Sequence, residues 1–163
     1  DQIIPLLEII KIPSKFRKGL FRCRIIYSSK IEKIEFHPHE YRKVESLKMV
    51  EDNTIDYRLK FTDRKKLSEL FEKRADCDDI IIVKKGCITD SYVANIVFYD
   101  GIEWWTPDTP LLHGTRRAQL IEEGKIKVCR ITPDDLPRFE KAGLINAMQD
   151  FSEMPEIKIK NIV

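Results

Sequence analysis

The apolar residues of this chain fall into short runs whose spacing separates strands from helices. Ile80-Ile81-Ile82-Val83 is apolar at every position, over a length too short for a full helix. That is the pattern of a strand buried on both faces, and it predicts a central position in a sheet. Phe21–Tyr27 and Ile31–Phe36 are β-prone, and the Ser28-Ser29-Lys30 stretch between them suits a hairpin turn, so an antiparallel pair is predicted. Ser46–Glu51 alternates polar and apolar residues as a half-buried strand does, and Asp52-Asn53 then supplies a turn. A domain boundary is placed there, with residues 1–53 in a smaller unit and 54–163 in a larger one.

Beyond the boundary, Thr54–Lys60 reads as extended, and Thr62 or Asp63 caps a helix whose apolar stripe is Leu67, Leu70 and Phe71. Gly86 makes a turn into Cys87–Asp90. Asn95–Tyr99 and Glu103–Thr106 flank Asp100-Gly101, a strong hairpin signal. Pro107 and Pro110 enforce an irregular connection, after which Thr115–Glu123 predicts a helix closed by Gly124. Lys125–Ile131 reads as a strand, Thr132-Pro133-Asp134-Asp135 as a helix cap with proline at the first position, and Gly143–Met148 as a late strand or loop. The apolar opening, Ile3–Ile10, reads as a short helix or a buried connector before the basic loop Ser14–Gly19. The elements are of mixed type, an α+β pattern.

Composition narrows the classes. With 42% hydrophobic and 34% charged residues among 163, the chain supports one substantial core or two small ones and is not disordered. The net charge of +2 comes from 29 basic and 27 acidic residues spread along the whole length, so no block of one sign favours nucleic acid. Cys23, Cys77, Cys87 and Cys129 form no Cys-x-x-Cys pair, which leaves no support for a zinc site or dithiol motif; no metal is expected. His37 and His39 fall in a predicted turn and read as surface residues. Arg22 and Arg24 share one face of a strand, where they could receive a carboxylate. No apolar run reaches membrane-spanning length and no signal-peptide pattern opens the chain, so a cytoplasmic protein without membrane contact is expected. The absence of an initiating methionine suggests that Asp1 is not the natural beginning.

Three positions carry candidate chemistry. Lys60 sits where a predicted strand meets a predicted helix, Asp90 follows a predicted turn, and Gly114-Thr115-Arg116-Arg117 opens a helix. Taken singly these are a surface lysine, a turn aspartate and an ordinary helix start. Together, an amine, an acid and an anion-binding helix start suggest pyridoxal phosphate. That cofactor needs a lysine to carry its aldehyde, a carboxylate to keep its ring nitrogen protonated, and backbone N–H groups to accept its phosphate.

Four segments in order strengthen this. Lys60-Phe61-Thr62-Asp63-Arg64, Ile88-Thr89-Asp90-Ser91-Tyr92-Val93-Ala94-Asn95-Ile96, Thr106-Pro107 leading to Gly114-Thr115-Arg116-Arg117, and Asn146-Ala147-Met148 resemble the successive motifs of the class IV aminotransferase family. These are the pyridoxal-phosphate enzymes of fold type IV. The resemblance implies a two-domain α+β fold like that of D-amino acid aminotransferase, with the smaller domain lacking its amino-terminal part and an arginine phosphate ligand there. It implies Lys60 as the cofactor lysine and catalytic base, which requires low dielectric around its amine; the neighbouring Leu59 and Phe61 are compatible with partial burial. It implies Asp90, where the family usually has glutamate, as partner of the ring nitrogen. Gly114, Thr115 and Arg116 become the phosphate cradle, Arg117 a support of the helix start, and Asn146 and Ala147 part of the substrate pocket. The activities implied are 4-amino-4-deoxychorismate lyase, which yields 4-aminobenzoate and pyruvate for folate biosynthesis, or transamination of branched-chain or D-amino acids. A homodimer and a small amino-acid-like substrate follow from the same resemblance. A non-catalytic module that has lost the cofactor is the rival from another class.

Overall fold

The computed structural model describes residues 5–163; the first residues of the predicted opening element, Ile3 and Ile4, lie outside them. Two compact units meet in the chain between Tyr41 and Arg42.

In the smaller unit, helix α1 (Leu6–Ile9) and a 3-10 turn at Ser14–Phe16 precede strands β1 (Phe21–Tyr27) and β2 (Ile31–Pro38). The two strands pair antiparallel as predicted, with Ile25 opposite Ile34 and a bulge beside Tyr27. Phe16 stacks on Phe36 at 5.2 Å and meets Phe21 edge-on at 5.3 Å, so an aromatic cluster anchors the basic loop on the hairpin. His37 belongs to β2 and not to a turn, and its Nε2 lies 3.3 Å from Glu35 Oε2. Arg24 Nη1 donates to the same carboxylate at 3.4 Å, so the carboxylate that Arg24 receives is its cross-strand neighbour.

The larger unit is an eight-stranded sheet built from β3 (Leu47–Glu51), β4 (Asp79–Lys84), β5 (Cys87–Ser91), β6 (Asn95–Tyr99), β7 (Trp104–Pro107), β8 (Lys127–Cys129), β9 (Lys141–Ile145) and β10 (Glu156–Lys158). The main order is β10-β9-β6-β5-β4-β3, with β7 and β8 continuing from β6. β4 lies inside it, parallel to β3 and antiparallel to β5. Its unbroken apolar run has a simple cause. Ile81 and Val83 pack into one cluster with Leu47, Ile88, Ile96 and Phe98, whereas Ile80 and Ile82 pack into another with Val50, Ile55, Leu67, Leu70 and Leu111. Both faces are therefore core, and each wholly buried isoleucine contributes roughly 1.5–3 kcal/mol.

Because β3 is hydrogen-bonded to β4, residues 42–53 belong to the larger unit, and the Asp52-Asn53 break is a turn inside it. Asp52 Oδ1 accepts from the N–H groups of Thr54 and Ile55 at 2.8 Å, and Asp56 Oδ1 accepts from Arg58 N at 3.2 Å. These side-chain turns displace the extended conformation expected for Thr54–Lys60, which forms no strand. Helix α2 (Lys65–Phe71) follows, buries Leu67 and Leu70, and has Asp63 Oδ1 accepting from Lys65 N at 2.9 Å.

The Asp100-Gly101 hairpin forms as predicted. Gly101 has φ 95°, and Asp100 accepts from the backbone of Ile102 and Glu103 and from Trp105 Nε1. Helix α3 (Thr115–Glu122) ends at Gly124, φ 67°. The following strand is shorter than predicted because the N–H groups of Lys125 and Ile126 turn back to Leu120 O. Thr132 and Asp135 form the capping box of a 3-10 helix at Pro133–Arg138. β10 gave no sequence signal: only Ile157 within it is buried.

Candidate active site

One cleft in the larger unit is lined by Lys60, Asp90, Gly114, Thr115, Arg116, Asn146 and Ala147, the positions at which the resemblance implies cofactor and substrate contacts. Four separate pieces of chain supply them: the irregular segment before α2, the end of β5, the start of α3 and the turn after β9.

Lys60 ends a turn in which its N–H donates to Tyr57 O at 3.2 Å, and its backbone is left-handed, φ 53°. A non-glycine residue there is strained by about 1–3 kcal/mol, and Ala75 and Lys85 share this positive φ in turns away from the cleft. The expected shielding by its neighbours is not present. Leu59 is 74% and Phe61 47% exposed, and Lys60 is exposed as well.

Asp90 is buried. Its Oδ1 accepts from Asn95 Nδ2 at 2.7 Å and its Oδ2 from Leu112 N at 2.9 Å. Desolvation pushes its carboxyl up to about 6, against the lowering effect of those two donors and of Arg117. Asp90 is the only carboxylate among the described residues lining the cleft.

Asn95 was absent from the site list drawn from the sequence, yet it joins two parts of it. Asp90 and Asn95 face each other in the β5–β6 pairing, and Asn95 Nδ2 donates both to Asp90 and to Leu112 O at 2.8 Å. A Cβ on Gly114 would collide with Asn95 Oδ1, so only glycine lets the start of α3 approach this amide. Gly114 is thus required for close approach, at an ordinary φ of −67°. The N–H groups of Thr115 and Arg116 lie in the first turn of α3, where the helix offers them no acceptor. Arg117 does not line the cleft. Its buried guanidinium donates to Thr106 Oγ1 at 3.2 Å and Pro107 O at 2.8 Å, and so pins α3 to β7.

Arg64, Tyr57 and Tyr92 also line the cleft and were not singled out as site residues. The signal for Arg64 was present, since it closes the Lys60–Arg64 motif, and Tyr92 falls within the Ile88–Ile96 segment; Tyr57 lies outside every motif. Arg64 Nη2 donates to Tyr92 O at 2.7 Å, and Tyr92 stacks on Phe71 at 4.3 Å. Asn146 Oδ1 accepts from Met148 N at 2.8 Å, which fixes the turn that presents Asn146 and Ala147.

The arrangement places an amine, a buried acid and free helix N–H groups around one space, a set suited to a ligand that is anionic at one end and basic at another. Among the described residues no helix is long and apolar enough to cross a membrane, and no acidic, histidine and cysteine cluster could hold a metal.

Comparison with known proteins gives the same direction. An uncharacterized protein of Haemophilus influenzae is 37% identical over 147 residues, 90% of this chain and 78% of that protein. The crystal structure of a candidate 4-amino-4-deoxychorismate lyase from Haemophilus somnus matches with TM-score 0.82 at 38% identity, over 90% of this chain and 77% of the other. A candidate amino-acid aminotransferase from Mesorhizobium loti matches with TM-score 0.72 at 20% identity, over 88% and 73% of the two chains. The α+β architecture is that of fold type IV aminotransferases. The sequence pattern of amino-transferase class IV matches residues 24–157, and the chain belongs to that family.

Proposed function

We propose that this protein is a pyridoxal-phosphate-dependent lyase that converts 4-amino-4-deoxychorismate to 4-aminobenzoate and pyruvate. The observation that carries the reading is the convergence of Lys60, Asp90 and the first turn of α3 on one cleft. The likeness to the Haemophilus somnus protein supports the choice of lyase within the family.

The donor set fits the cofactor. The Nε atoms of Arg64 and Arg116 are buried without a hydrogen-bond partner, and both residues line the cleft. Such groups are costly unless an acceptor meets them, and phosphate oxygens are acceptors; elsewhere on its guanidinium Arg116 donates to Gln119 Oε1 at 2.8 Å and lies 3.7 Å from Asp150 Oδ1. Arg116 lies beside the N–H groups that would hold a phosphate, and Asp90 is the acid for a ring nitrogen. When bound, pyridoxal phosphate supplies an aldehyde that takes up amines and a protonated ring that accepts electrons from the substrate.

The chain's own groups then have defined tasks. The N–H groups of Thr115 and Arg116, with the Thr115 hydroxyl, orient the phosphate, and Gly114 keeps that turn against Asn95. Asp90 stays ionised opposite a protonated nitrogen, a pairing that offsets the burial now raising its affinity for a proton. Lys60 Nζ would be the base that takes the proton from the carbon bearing the substrate amine. Loss of the enolpyruvyl group from the neighbouring carbon leaves an aromatic ring, which favours elimination. Asn146 and Ala147 contact the substrate. Lys60, Leu59, Phe61 and Val93 are exposed here, and a second copy of the chain covering this apolar rim would lower the dielectric around the amine.

The test supplies 4-amino-4-deoxychorismate and follows pyruvate and 4-aminobenzoate, then supplies amino acids with 2-oxoglutarate and follows exchange. Pyruvate without exchange supports the lyase; exchange alone identifies a transaminase; a protein that stays colourless with added cofactor is the non-catalytic module.

A further inference from the structure

If the cleft holds pyridoxal phosphate, its lysine, acid and helix start satisfy the aldehyde, the ring nitrogen and the phosphate. Two oxyanions remain without a partner: the hydroxyl oxygen on the ring beside the aldehyde, and the carboxylate of the substrate. The cations lining the cleft are Lys60, Arg64 and Arg116. Lys60 serves the aldehyde and Arg116 sits on the phosphate turn, which leaves Arg64.

Arg64 is held as a receptor would be. Nη2 is tied to Tyr92 O at 2.7 Å, and the guanidinium lies 4.6 Å from the Tyr92 ring centre and 5.8 Å from that of Tyr57. Stacking on aromatic faces immobilises the fork without neutralising it. Its Nε is buried and unpaired, and no carboxylate pairs with Arg64 among the described residues. A purely structural role needs only the bond to Tyr92. An apolar side chain of that length would fill the space between the tyrosines with no unsatisfied donor.

We infer that Arg64 holds an oxyanion in the cleft, either the ring oxygen of the cofactor or the carboxylate of the substrate. The inference rests on the functional reading above, and the experiment separates the two. Wild type and Arg64→Gln are saturated with pyridoxal phosphate and reduced with borohydride, and the adduct is located by mass spectrometry. The unreduced proteins are titrated with acid and base while the visible band is followed, and then with benzoate and with benzamide as its neutral counterpart.

With the adduct on Lys60 in both proteins, a rise of about one pH unit or more in the band's midpoint in Arg64→Gln identifies the ring oxygen as the ligand. An unchanged midpoint with about tenfold or greater loss of benzoate affinity, benzamide unaffected, identifies the carboxylate. No change in either quantity, with the melting temperature kept, overturns the inference and leaves the lyase reading standing. Absence of a Lys60 adduct in wild type sinks both. If Arg64→Gln does not fold, Arg64→Lys takes its place, and wild-type values there overturn the inference, because the planar fork is what the geometry supplies.

Discussion

Asp90 makes a sharp test because its burial has a calculable consequence before any ligand is added. Its carboxyl is raised from 3.8 to about 6 by desolvation. A group that binds its proton more tightly when folded makes the native state lose stability as pH rises, since between these two values the native protein carries more protons than the unfolded chain. Roughly two units at about 1.4 kcal/mol each give about 3 kcal/mol, present below the unfolded value and lost as pH rises through the folded one. Somewhat over 1 kcal/mol of this falls between about pH 5 and about pH 8 by the same relation. In Asp90→Asn the charge is gone, and so is its share of the slope. The amide adds a different cost: it presents an N–H to either Asn95 Nδ2 or Leu112 N, both donors, at about 1–3 kcal/mol, independent of pH. Urea unfolding of cofactor-free wild type and Asp90→Asn at the two pH values separates the effects. The difference between the proteins should shift by somewhat over 1 kcal/mol in favour of the variant at the higher pH. A constant difference would refute the reasoning that the acid is stored in a desolvated, destabilising state. Saturating cofactor should flatten the wild-type slope, because the ring's proton then faces the carboxylate.

Further outcomes follow from single contacts. Lys60→Ala should bind no borohydride-fixed cofactor and show no visible band, checked by absorbance and mass spectrometry. Gly114→Ala forces a Cβ against Asn95 Oδ1, and should weaken cofactor binding at least about tenfold and stability by about 1–3 kcal/mol, read by titration and denaturation. Arg117→Met leaves Thr106 Oγ1 and Pro107 O without their donors, and should destabilise by about 2–3 kcal/mol on urea unfolding while cofactor spectra keep their shape. Leu59→Ser with Phe61→Ser should shift light-scattering mass toward the single chain if a second copy covers that rim.

How far the sequence spoke depended on whether a signal was local. The double-faced strand at Ile80–Val83, the Asp100-Gly101 hairpin and the Gly124 stop are written in a few adjacent residues, and each formed as read. Thr54–Lys60 bends where its β-prone residues predict an extended run, because the carboxylates of Asp52 and Asp56 capture nearby N–H groups. The unit boundary lay elsewhere because the partner of β3 is β4, and no residue near position 50 announces a parallel neighbour some thirty positions on. For the cleft, order-bearing motifs named Lys60, Asp90 and Gly114–Arg116. Tyr57 and Tyr92 escaped because their part is to flank Arg64, a relation between distant turns.

Asn95 shows why the legible residues work only as a set. The turn between β5 and β6 is closed by Ser91, whose N–H and hydroxyl both donate to Ala94 O and whose hydroxyl oxygen accepts from Ala94 N. That closure brings Asn95 opposite Asp90. From there one amide nitrogen reaches the acid and the Leu112 carbonyl, and Leu112 N returns a bond to the acid's other oxygen. Gly114 N donates to Leu112 O as well, so the acid, the amide and the start of α3 form one hydrogen-bonded ring of groups. Movement of the helix start would break bonds to the acid. The spacing between the Asp90 carboxylate and the first-turn N–H groups of α3 is therefore set by the protein before a ligand arrives, and a rigid ligand whose two ends matched that spacing would bind without ordering the site.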